Sequence, residues 1–168
     1  MSHRSEVVDF WNRELARWVQ GDREMSNDAT RWRESYAGKG EGAVDLTVFP
    51  EPFVGPLAGQ PSLVMLGLNP GPPSLQFQGP DGVFTQQVAD QGYESWAASA
   101  PYTSELWERV NSRNKYHRDR LAFAQRFNYD ESIHPKDLLY LELYPFHSKR
   151  VSAPVSYTHL TLPTKRIV

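Results

Sequence analysis

The chain has 168 residues, 39% hydrophobic and 23% charged, with a formal net charge of −2 and no cysteine. This length supports one domain with a real core. The lack of cysteine excludes a disulfide framework and a thiolate metal site, and the slight negative charge argues against a strongly basic nucleic-acid binder. No apolar run approaches the ~20 residues that a membrane span needs and no secretory signal opens the chain, so a cytoplasmic protein is expected. It is further expected to be monomeric and to hold no cofactor or metal.

Val8, Trp11, Leu15 and Trp18 recur at three and four residues. This spacing predicts a helix from Glu6 to Gln20, capped by Ser5 and ended by Gly21, with the tryptophans in the core. Asn27 to Tyr36 continues as a short helix, Gly38 to Gly42 is a loop, and Asp45 to Phe49 is a short strand stopped by Pro50. The Pro- and Gly-rich stretch from Pro50 to Gln60 reads as an irregular connection.

Leu63 to Leu66 is a continuous apolar run that passes through Gly67 and Leu68 into Asn69-Pro70-Gly71-Pro72-Pro73. Such a run closed by Gly and Pro predicts a strand buried on both faces, as in parallel sheets. Ser74 to Gly82 reads as a loop. Val83 to Ala98 has a helical pattern weakened at Gly92. A further helix is capped by Thr103 or Ser104, and another spans about His117 to Phe127. Leu138 to Tyr144 is the second strong strand, closed by Pro145. Strands separated by long helical stretches imply right-handed crossovers and a parallel sheet between helix layers.

Charge is uneven along the chain. Phe53 to Ser104 has no Lys or Arg, whereas Arg109, Arg113, Lys115, Arg118, Arg120 and Arg126 cluster with His117. The cluster suits either phosphates or a solvated helix face. The segment from Pro154 to Val168 resembles the translation of a sequencing-library adapter. Residues 154–168 are therefore expected to be a non-native tail behind a domain over 1–153, which without Lys165 and Arg166 has 16 basic and 20 acidic residues.

Both strong strands carry a polar side chain near the carboxyl end and then stop at proline: Asn69 in one, Glu142 in the other. In open α/β sheets that is where ligands sit. A carboxylate inside an apolar strand costs several kcal/mol unless it is paired or exposed. Glu142 therefore either faces a crevice shared with Asn69 or points to water from an edge strand. No metal-ligand spacing, phosphate loop or nucleophile elbow is present.

Gly67-Leu68-Asn69-Pro70-Gly71-Pro72 resembles the first motif of the uracil-DNA glycosylase superfamily, in the Gly-x-Asn-Pro-Gly form of its mismatch-specific and single-strand-selective branches. Glu142-Leu143-Tyr144-Pro145 resembles the later strand that ends in the base-reading residue, and the resemblance covers roughly Val44 to Arg150. It implies a three-layer α/β/α domain with a central, mostly parallel sheet, which hydrolyses the N-glycosidic bond of a damaged or deaminated base flipped out of DNA. Asn69 would aim a water at the sugar C1′. Gly67, Leu68, Gly71 and Glu142 would hold the base, Phe77 or else Phe84 would stack on it, and Pro70 and Pro72 would meet DNA. Two features depart from the family. Glu142 stands where an amide reads the uracil edge, and an ionised carboxylate only accepts, so it suits an amino-bearing edge or must be protonated. The family's late His-containing loop is absent before Ala153, so the domain is expected to be incomplete and inactive as it stands. The alternatives are a non-catalytic nucleotide- or nucleic-acid-binding module of the same fold, and an unrelated α/β domain whose Asn-Pro-Gly is only a tight turn.

Overall fold

The computed structural model describes residues 3–35, 39–112 and 115–150. Tyr36, Arg113 and the expected tail 154–168 lie outside the described residues. Helix α1 (His3–Val19) buries Val8, Trp11, Leu15 and Trp18, the stripe that its spacing predicts. Gly21, at φ +92°, follows its end. Buried Glu14 accepts the Ser26 amide at 2.9 Å, which fixes the start of α2 (Asn27–Ser35).

The sheet has three strands in the order β1 (Phe53–Val54), β3 (Leu138–Glu142), β2 (Leu63–Gly67). β2 and β3 are parallel, with Gly67 opposite Glu142. β1 is antiparallel to β3, with Phe53 opposite Leu141. The fold is thus mixed α/β with a small mixed sheet, where the strand pattern predicts parallel pairing. Two further expectations are corrected. Asp45 to Phe49 is not a strand: Asp45 Oδ1 accepts the Thr47 amide at 2.9 Å and folds the segment into a turn. β2 is not buried on both faces: it is a sheet edge among the described residues, with Val64 49% and Leu66 74% exposed.

Between β2 and β3 run α3 (Leu75–Gln78), α4 (Val83–Gln91), α5 (Tyr93–Ala98), α6 (Glu105–Val110) and α7 (Tyr116–Asn128). Gly92 divides α4 from α5, and Ser104 Oγ caps α6 by accepting the Trp107 amide. The core is aromatic: Phe49, Phe77, Phe84, Tyr93, Trp96, Tyr102 and Trp107 are all buried. Their rings meet at 4.7–6.4 Å, mostly edge-to-face or tilted. Such pairs are worth about 0.5–1.5 kcal/mol each beyond the area they bury. Among the described residues no helix is long and apolar enough to cross a membrane.

Candidate functional site

The parallel pairing of β2 and β3 continues past both strand ends. Leu143 N donates to Gly67 O at 3.1 Å, Tyr144 N to Leu68 O at 2.9 Å, and Ser148 N to Gly71 O at 3.3 Å. The two exits are therefore held together, and Asn69 and Glu142 line one cavity of about 300 Å³. Pro70, Gly71 and Pro72 form part of its rim. Glu51, Val54, Gln78, Tyr102, Trp107, Tyr116, His117 and Tyr140 complete its wall.

The Asn69 carboxamide has a fixed orientation. Its Nδ2 donates to Ser148 Oγ at 2.7 Å and to Phe146 O at 3.4 Å. Both amide protons are used inside the protein, so Oδ1 is the atom left to a ligand or a water. Glu142 lies across Gly67: a Cβ at position 67 would stand 2.6 Å from Oε1 and 2.7 Å from the carboxyl carbon. Glycine at 67 is the seat of that carboxyl. Oε2 is buried without a hydrogen-bond partner among the described residues. Burial, with the Glu51 charge behind it, pushes the Glu142 carboxyl up to about 7, against the pull of Arg120 and His147.

Behind the rim sits a buried polar network. Glu51 accepts from Gln78 Nε2 at 2.5 Å and from the Tyr102 hydroxyl. Gln78 is itself oriented by the Ser74 amide, which donates to Gln78 Oε1 at 2.7 Å. His147 is 1% exposed, with Nδ1 3.1 Å from Gly71 O. A carbonyl only accepts, so the ring donates there. Its Nε2 is 3.7 Å from Glu51 Oε1. Burial raises the Glu51 pKa, but His147 and the hydrogen bonds from Tyr102 and Gln78 outweigh burial and hold the group below the usual carboxylate range. Tyr102, buried beside the Glu51 charge, is raised well above its ordinary value and remains a donor. His117 stacks on Tyr102 at 4.4 Å and is lowered to about 4 by burial, so its ring is neutral at pH 7.

Of the residues singled out from sequence, Asn69, Pro70, Gly71, Pro72 and Glu142 are brought together at the cavity, and Gly67 lies directly under Glu142. Leu68 is 43% exposed with its carbonyl used in strand pairing, outside the cavity wall. Phe77 and Phe84 are corrected: both are buried in the aromatic core, 5.0 Å apart, and neither lines the cavity. The aromatic faces at the site come instead from Tyr102, Trp107, Tyr116 and Tyr140. Sequence reading missed Glu51, Gln78 and His147. Glu51 stands between two prolines, and His147 sits in the chain five residues past β3, so neither makes a spacing that names its partner. Among the described residues no group of three or more His, Asp or Glu is placed to hold a metal. No protein-family model, curated protein or solved structure matches the chain.

Proposed function

We propose that this chain carries the base-binding half of a uracil-DNA glycosylase-like hydrolase, a three-layer α/β/α enzyme that cleaves the N-glycosidic bond of a damaged or deaminated base in DNA. One observation carries the reading: Asn69 and Glu142 leave adjacent parallel strands and line the same cavity. That cavity, about 300 Å³, lies at the small end of the ~300–1,000 Å³ usual for ligand sites, a size suited to one extruded base. Its aromatic walls suit a flat ring.

In this mechanism Glu142 grips the base edge. Asn69 Oδ1, left over when Nδ2 binds Ser148 and Phe146, accepts a hydrogen bond from a water and directs its oxygen at C1′ as the sugar becomes cation-like. The amide is too weak a base to take the proton early, so its part is positioning. The loop Pro70–Pro72 meets the DNA backbone beside the lesion. The proposed reaction is a cytoplasmic one.

The test is a base-release assay with protein expressed from the native gene, on single-stranded and duplex oligonucleotides containing uracil, hypoxanthine or other lesions. Release from at least one of them is expected, falling about 100-fold or more in Asn69→Ala. No release from any substrate, or release indifferent to Asn69→Ala, overturns the enzyme reading. A second reading is a non-catalytic base-binding module, favoured by two carboxyl-bearing residues, Glu51 and Glu142, in a cavity that no Lys or Arg lines. Saturable binding of free bases without release would support it.

A further inference from the structure

The polar atoms that the protein leaves uncommitted at the cavity fall into a pattern. The donors of Asn69 and Gln78 are consumed internally, by Ser148 and Phe146 in one case and by Glu51 and Tyr102 in the other. What remains is Asn69 Oδ1, an acceptor, and the Glu142 carboxyl, which hydrogen-bonds no described residue and has one oxygen buried and unpartnered. The Tyr140 hydroxyl and the neutral His117 ring serve as donor or acceptor. No Lys or Arg is in the wall. The guanidinium of Arg120, on α7, lies 3.7 Å over the Tyr116 ring. An acceptor-rich cavity with aromatic faces repels anions and carbonyl-flanked edges, and it favours ligands that bring donors.

We propose that this cavity takes a flat heterocycle presenting two neighbouring N–H donors, the edge of guanine or of a protonated amino-heterocycle, and that the Glu142 carboxylate pairs with that edge. The assignment rests on the base-site reading above and narrows it, because a uracil-type imide edge would need Glu142 to keep its proton. The two edges therefore carry opposite pH signatures. A donor–donor edge displaces the Glu142 proton, and its affinity rises as pH passes about 7. An imide edge needs that proton, and its affinity falls over the same range. The ionisable groups electrostatically coupled to Glu142 are Glu51 before β1, Arg120 and Tyr116 on α7, Tyr93 on α5 and His147 after β3. The two tyrosines keep their protons, because burial and nearby acids raise both.

The experiment is calorimetric titration of the 168-residue chain with 9-methylguanine and with uracil at pH 6 and pH 8. We expect 9-methylguanine to bind at both, about tenfold tighter at pH 8, with a proton released to buffer at pH 6. Glu142→Gln should weaken it at pH 8 by tenfold or more and flatten the pH dependence. Gly67→Ala, which leaves the carboxyl in place chemically but crowds its seat, should weaken binding while the far-ultraviolet dichroism stays native. Preference for uracil with affinity falling as pH rises overturns the donor-edge assignment and leaves the base-site reading standing. Binding of 9-methylguanine that ignores pH or Glu142→Gln overturns the assignment as well. Binding of neither ligand sinks both.

Discussion

The Glu142 carboxyl works against the fold at neutral pH. Its ordinary value is 4.5, and burial with the nearby Glu51 raises it to about 7 in the folded chain. Between these values the folded state holds a proton that the unfolded state has released, so stability falls as pH rises through the window and the full cost is present above it. The group is only partly buried, which reduces the penalty to on the order of 1–2 kcal/mol. Glu142→Gln removes it. The variant should therefore gain stability over the parent at pH 8 and gain little at pH 4.5, read from denaturant midpoints at the two values. A buried polar group retained at such a cost fits a binding role better than a structural one.

At the level of elements, two glycines behave oppositely. Gly55 has φ +116°, and a Cβ there would strike the Leu138 carbonyl and stand 2.9 Å from Leu139 Cα. Backbone cannot yield as a side chain does. Gly55→Ala should cost about 3 kcal/mol or more and lower the melting midpoint sharply. Gly67 meets only the far end of Glu142, so Gly67→Ala should fold. The cap of α6 is a smaller effect: Ser104→Ala loses the bond to the Trp107 amide and should cost about 1 kcal/mol in chemical denaturation. Elements with a long internal period, such as α1, were legible from sequence because their stripe is the face they bury. β1 was not, since two residues among prolines carry no period and only the partner strand defines them. β2 was legible as a strand and misread in its burial. Val64 and Leu66 are apolar yet exposed, and alternation cannot reveal a face that is apolar but uncovered.

For the whole molecule, several titrations set the pH profile. His117 is neutral in the fold with its value lowered from 6.5 to about 4, so its contribution is lost as pH falls across that window. Glu142 opposes it over much of the same range. At lower pH the lowered Glu51 carboxyl also takes a proton and surrenders the contacts that hold it lowered. Stability should therefore change little from pH 7 to 5 and drop steeply below about 4.5, with near-ultraviolet dichroism reporting the aromatic core. In Glu142→Gln the decline should instead begin near 6.5. The site itself was half legible. Asn69 and Glu142 announced themselves as polar residues at the ends of apolar strands. Glu51, Gln78 and His147 meet only through tertiary folding, across 27–96 residues of chain, and no local pattern encodes that meeting. The carbonyl of Gly71 serves both His147 and Ser148. The loop after β2 and the chain after β3 are accordingly joined at one acceptor, so displacing Gly71 would forfeit the His147 and Ser148 hydrogen bonds together.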